Sequence, residues 1–169
     1  MAGRILVADH DGIYVLLFEG DVRLTLCKAV DGFLEKMFHN HQFKSVLVDL
    51  SKTDSIDSTS LGLLAKLSIK ADKLFNYRPT LLSPHPDISR ILFSMGFEDV
   101  FSIVEEPLQY EEQLEELPSL KTSSEELRKR VLEAHRTLMA MNENNRQAFQ
   151  DLVETLESES PLVIPRRCA

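Results

Sequence analysis

Residues 45–50, Ser-Val-Leu-Val-Asp-Leu, constrain this chain more than any other stretch. Side chains alternate between the two faces of a strand, and here Val46, Leu47 and Val48 make both faces apolar. Such a strand must be covered on both sides, which is the situation of a parallel sheet between helices. Parallel neighbours in turn need long crossover connections, usually helical. The surrounding sequence supplies them. Leu26, Val30, Phe33, Leu34 and Met37 recur at helical spacing before the strand, and Leu61, Leu63, Leu64, Leu67, Ile69 and Leu74 after it. PTLLS and VFSIVE read as further strands, and PDISRILFSMGF as a helix with proline in its first turn and Gly96 near its end. At the start, RILVADHDG and IYVLLFEGD flank Asp11-Gly12, a hairpin signal. PLQYEEQLEEL reads as a short acidic helix. The expected fold class is α/β, with a mixed, mainly parallel sheet flanked by helices.

A second region begins at the proline- and serine-rich PSLKTSSEEL, residues 118–127. Beyond it the sequence predicts one long helix over 123–158, started by a Ser123/Glu126 capping box. Leu127, Val131, Ala134, Leu138, Met141, Ala148 and Leu152 form a heptad seam, with Asn145 in its one gap. Such a helix can fold back on its own chain, pair with a second copy or bind a partner. The expected organisation is a domain over 1–118, a linker over 119–122, a helical extension over 123–158 and a disordered tail over 159–169.

Charge and motifs exclude several functions. The net charge is −8, and residues 121–169 hold eight Lys/Arg against eight Asp/Glu, so the acidic excess lies wholly in residues 1–120. An acidic globular region repels nucleic acid and suits a basic protein partner. The two cysteines, Cys27 and Cys168, have no metal-ligand spacing, which fits a reduced, cytoplasmic protein. No apolar run approaches a membrane span, and MAGRILVADHDG does not read as a signal peptide. Neither glycine-rich phosphate loop occurs, and no serine sits in a nucleophile elbow. His39 and His41 are close together but lack two further ligands. The expectation is therefore a chain that is not an enzyme, with no catalytic residue, metal or cofactor.

What stands out is DSIDSTSLGLL, residues 54–64, between the apolar strand and its following helix. Asp57 or Ser58 can cap the helix. One cap does not require Ser58, Thr59 and Ser60 together, and Ser55 adds a fourth hydroxyl. The surplus points to a modified residue. A phosphate on Ser58 would meet the unpaired N–H groups and positive dipole end of the helix start. On this local view it changes surface charge without unfolding anything.

The order of elements and this junction resemble the STAS domain of bacterial anti-sigma-factor antagonists, also called anti-anti-sigma factors. That family carries D-S-S-G-L-G where this chain has Asp57-Ser58-Thr59-Ser60-Leu61-Gly62. Gly20 stands at the end of the second strand as in the family's G-E-L-D, and LLSPHPDISRILFSMGFEDVF is similar to its next strand, turn and helix. The resemblance covers about residues 4–110. With the long C-terminal helix and the variant motif, it extends to HsbA-type antagonists.

The resemblance implies partner switching. The unphosphorylated form binds an anti-sigma factor, often a serine kinase, and frees a sigma factor; phosphorylation reverses this, and a PP2C-type phosphatase resets it. It places the phosphoacceptor at Ser58, with Thr59, Ser60 and Ser55 as alternatives. The implied partner-binding residues are Asp21, Arg23, Asp57, Ser58, Thr59, Ser60 and Leu61. Two departures stand out. Ser60 replaces a glycine, and Arg23 replaces the aspartate of G-E-L-D, where it could pair with a phosphate on Ser58. Two other roles fit the same sequence: a ligand-sensing STAS module with a pocket near residues 20–25 and 57–62, and a non-catalytic interaction scaffold working through the C-terminal helix.

Overall fold

The computed structural model describes residues 1–110 and 113–159. Strands β1 (Arg4–His10) and β2 (Ile13–Val22) form an antiparallel hairpin, in register from Arg4 opposite Glu19 to His10 opposite Ile13. Its turn uses Asp11 at φ 49° and Gly12 at φ 85°, the left-handed pair that matches strand twist. A Cβ on Gly12 would lie 1.9 Å from the Gln42 carbonyl oxygen, so only glycine fits there. A 3-10 turn over Leu24–Leu26 then leads into α1 (Cys27–Phe38). There follow β3 (Ser45–Asp49), β4 (Thr53–Ile56), α2 (Ser58–Phe75), β5 (Thr80–Leu82), α3 (Pro86–Ser94), β6 (Ser102–Val104) and β7 (Glu115–Glu116). Helices α4 (Ser124–Met141) and α5 (Glu143–Ser158) close the described chain.

The sheet runs β6-β5-β3-β2-β1-β7, with β4 pairing beside β2. Strands β2, β3, β5 and β6 are mutually parallel, and β1 runs antiparallel to both of its neighbours, β2 and β7. This is the mixed, mainly parallel α/β architecture expected from the sequence. The doubly apolar stretch 45–50 is indeed central: Val46, Val48 and Leu50 are fully buried, beside Leu16 of β2 and Leu81 of β5. Leu64 and Leu67 of α2 and Leu92 of α3 pack into the same core.

Three expectations are corrected. Thr53–Ile56 is a strand, although its sequence TDSI has no apolar run; it pairs with the far end of β2 after a register shift between Gly20 and Asp21. PLQYEEQLEEL is not a helix in its described part. Glu115 and Glu116 are extended, pair with Val7 and Leu6 of β1, and the Leu117 N–H donates to the Ile5 carbonyl. Sheet hydrogen bonding at an open edge outweighs local helix propensity there.

The predicted 123–158 helix is two helices. Asn142 is extended, at φ −162° and ψ 168°, and its side-chain oxygen accepts from the Asn145 N–H at 2.8 Å, capping α5. The break rotates the heptad seam out of phase. Ala134 and Leu138 stay buried, but Ala148 and Leu152 are exposed, and α5 instead turns Asn145, Phe149 and Val153 inward. The two helices form a hairpin, joined by Arg128 donating to the Leu156 carbonyl and by an Arg136–Glu157 ion pair at 2.7 Å. The hairpin packs in cis, α4 against α2. The tail expected over 159–169 falls, from residue 160 onward, outside the described residues.

Candidate functional site

The junction at residues 54–62 is built from four elements. Asp57 is the cap of α2: its Oδ1 accepts from the Ser60 N–H at 2.8 Å. Its Oδ2 accepts from the Leu24 N–H at 2.7 Å, so one carboxylate ties the start of α2 to the turn after β2. The Asp57 N–H in turn donates to the Val22 carbonyl, continuing the β2–β4 pairing. On that pairing Ser55 faces Asp21, and the Ser55 hydroxyl donates to Asp21 Oδ1 at 2.8 Å. This bond, followed by the positive field of the Met1 ammonium 3.5 Å from Oδ2 and a still smaller one from Arg23, holds the Asp21 carboxyl below its ordinary value. Arg23 itself is exposed. Asp21, Arg23, Ser55, Asp57 and Ser58 therefore gather on one rim, at the carboxyl ends of β2 and β4.

The other expected surface residues do not lie on it. Thr59, Ser60 and Leu61 are 4%, 3% and 1% exposed. Successive helical residues point about 100° apart, so neighbours on one turn face different structures. Thr59 lies under α4 and, with Cys27, Gly62 and Ala134, lines a cavity of about 20 Å³. The Ser60 hydroxyl lies 3.7 Å from Cys27 Sγ of α1. Leu61 is in the core. The cavity beside Thr59 has room for about one water.

Ser58 is partly exposed, and its partner is remote in sequence. Its Oγ lies 2.8 Å from Nε2 of His135 on α4. His135 Nδ1 lies 2.7 Å from the Val131 carbonyl oxygen, which can only accept. Nδ1 therefore carries a proton, and in the neutral ring Nε2 accepts from the Ser58 hydroxyl. The imidazole is 1% exposed and meets Phe149 of α5 edge-on, at 4.9 Å between ring centroids. Sequence reasoning missed this contact. Its only local signal is a histidine next to the seam residue Ala134, 77 positions from Ser58.

Around this contact α4 seats on α2 closely. A Cβ on Gly62 would lie 2.4 Å from the Ala134 carbonyl oxygen, so the two backbones touch where Gly62 has no side chain. Ion pairs frame the seat: Lys28–Glu126 at 2.8 Å, Lys66–Glu133 at 2.6 Å, and Asp31 between Lys66 at 3.4 Å and Arg130 at 3.6 Å. The far end is anchored by Asn142 and Asn145, whose Nδ2 groups donate to the Met95 carbonyl after α3. The seam asparagine thus fixes a contact within the chain.

Among the described residues no cluster of three or more His, Cys, Asp or Glu is placed to hold a metal ion. None of their helices is long and apolar enough to cross a membrane.

Residues 4–112 match the STAS domain family. The chain belongs to that family. Among solved structures it is similar to the anti-sigma factor antagonist SpoIIAA in its unphosphorylated form, with a TM-score of 0.51 at 12% identity, over 62% of this chain and 89% of that one. It is also similar to the protein TM1081, solved by NMR, with a TM-score of 0.52 at 19% identity, over 59% of this chain and 78% of that one. At these identities the likeness is one of fold. No curated protein matches the sequence. The STAS match contains the whole Asp21–Ser58 rim, whereas α4 and α5, which supply His135, lie beyond it.

Proposed function

We propose that this STAS protein is an anti-sigma factor antagonist that works by partner switching. Its unphosphorylated form binds an anti-sigma factor or serine kinase and so frees a sigma factor. The kinase phosphorylates Ser58, the complex dissociates, and a PP2C-type phosphatase resets the switch. The protein is then a substrate and catalyses nothing, and it acts in the cytoplasm.

The observation that carries this reading is the orientation of Ser58. Of the three consecutive hydroxyls at the start of α2, Thr59 and Ser60 are buried and Ser58 alone reaches the surface. Ser55 is engaged with Asp21. Ser58 is also the first helical residue, where backbone N–H groups favour an anion. Asp21, Arg23 and Asp57 surround it as the polar rim a protein partner would read. A phosphate there adds about two negative charges that a docked partner would have to desolvate. Losing about 3 kcal/mol in this way weakens binding by roughly two orders of magnitude.

Peptide mapping by mass spectrometry, after incubation with a candidate kinase and ATP, should find one phosphate on Ser58 and none in Ser58→Ala. Pull-downs should recover the anti-sigma partner with wild type and lose it with Ser58→Asp. A phosphate that persists on Thr59, Ser60 or Ser55 in Ser58→Ala would sink the assignment.

A further inference from the structure

The α4–α5 hairpin does more than lengthen the STAS domain: it sits on the Ser58 side chain itself. We propose that the hairpin is the intramolecular partner of the Ser58 face, docked on it in the unmodified chain and expelled by a phosphate on Ser58. The inference rests on the reading of Ser58 as the modified residue. It differs from the view that a phosphate there merely recolours a rigid surface.

The reason is space and solvation. Ser58 Oγ and His135 Nε2 are 2.8 Å apart, and no phosphoryl group fits between two atoms at hydrogen-bond distance. The neighbouring turn gives no slack, because the α2 and α4 backbones already touch at Gly62 and Ala134. His135 cannot tip aside freely either, since Val131 holds Nδ1 and Phe149 closes one side of the ring. If the phosphoserine swings outward, the serine hydroxyl proton that Nε2 accepted is gone, and a 1% exposed ring nitrogen is left without its donor. If it stays, about two negative charges are held between packed helices beside the Asp57 carboxylate. Both rotamers act against the closed seat.

The seat is built to yield. It rests on small residues, and its ion pairs are partly solvated: Glu126 and Glu133 are 41% and 52% exposed. Such pairs contribute little each. The buried core under the sheet is built mainly from β2, β3, β5, α1, α2 and α3, and of the hairpin only Leu138 belongs to it, with Met141 and Phe149 packed against it, so the hairpin can leave while β2, β3 and β5 stay paired. A single modification would thus alter the rim and everything α4 covers.

The test uses the full chain with Cys168→Ser and phosphoserine installed at position 58 during synthesis, so that no kinase is needed. Cys27 is the reporter. It lines the cavity under α4, is 3% exposed, and burial pushes its thiol up to about 11. Relative to the unmodified chain, the phosphorylated chain should show about tenfold faster hydrogen exchange across residues 124–158 and about tenfold faster alkylation of Cys27 by N-ethylmaleimide, with β2 and β3 unchanged. The double variant Glu126→Lys/Glu133→Lys, which leaves Ser58 alone, should shift both readouts the same way by a smaller factor. Unchanged or slower exchange in the phosphorylated chain would overturn the proposal, since the phosphate would then be held by an imidazolium. Equal acceleration in β2 and β3 would also overturn it, as general unfolding. Because the phosphate is installed chemically, a kinase experiment that fails to modify Ser58 would refute the proposed function and leave this result standing.

Discussion

Helix α2 has two different sides. One faces the sheet through Leu61, Leu64 and Leu67, all essentially without exposure. The other faces α4 through Ser58, Thr59, Gly62 and Lys66, meeting His135, Ala134 and Glu133. On the first side, contact energy comes from large apolar area, which is non-directional and unaffected by charge. On the second it comes from close approach of small groups, one serine–histidine hydrogen bond and a ring of partly solvated ion pairs, all of which depend on geometry and charge. The lesson is that one helix can be mounted permanently on one side and conditionally on the other. The phosphoacceptor candidate sits at the end where both sides begin.

The sharpest way to break this comparison is to place the same charge on each side. Leu64→Asp should cost about 5 kcal/mol by burying an unpaired carboxylate, and a thermal melt should show the whole chain unfolding. Leu138→Asp, on α4 and also fully buried, should cost about 3 kcal/mol, leave the mass by light scattering equal to that of wild type, and free residues 124–158 while the sheet stays protected from hydrogen exchange. If both variants lose sheet protection together, the two sides of α2 form one cooperative unit and the distinction fails.

A smaller effect sharpens it. Gly62→Ala adds only a methyl group, yet that methyl overlaps Ala134, so α4 must shift; a loss of about 1–3 kcal/mol is expected, with faster alkylation of Cys27. A melting temperature equal to wild type would mean the helices are not in close contact there.

The smallest expected effect is in acid. The hydrogen bond from Lys28 lowers the Glu126 carboxyl below its ordinary value of 4.5. A depressed carboxyl contributes stability that is present above its unfolded value and is lost as pH falls through the folded one. Hydrogen exchange in α4 should therefore rise as pH drops below about 4.5, after correction for intrinsic rates, and Lys28→Met should flatten that rise. A flat profile in wild type would remove this ion pair from the seat.

The sheet was legible because its central strands are apolar on both faces and its helices carry clear periodicity. Strand β4 was not, since TDSI is polar and is extended only because β2 offers it backbone partners. The turn between α4 and α5 had a readable sign in Asn142, an N-cap residue followed by Glu143, but with no proline or glycine the heptad pattern carried straight across it. In the site, a cap at Asp57 or Ser58 follows from local rules, and the structure puts it at Asp57, whereas the choice of Ser58 among the hydroxyls came from the family resemblance. The burial of Thr59, Ser60 and Leu61 follows from neither, because it depends on what covers each face of the helix. His135 is the extreme case, brought to Ser58 only by the return of a chain segment 77 residues away.

Strand β7 has a consequence for how these molecules meet one another. Strand β1 lies beside the outer edge of the sheet, and an uncovered strand of seven residues there would present a ladder of free backbone groups to any second chain. Glu115 and Glu116 cover its middle, and the Arg4 guanidinium pairs with Glu116 at 3.3 Å to hold them there. The new outermost strand is two residues long, acidic and exposed. A second copy approaching to extend the sheet would bring carboxylate against carboxylate along a template too short to recruit it. The stretch that sequence periodicity assigns to a helix thus protects this molecule against fibrous self-association.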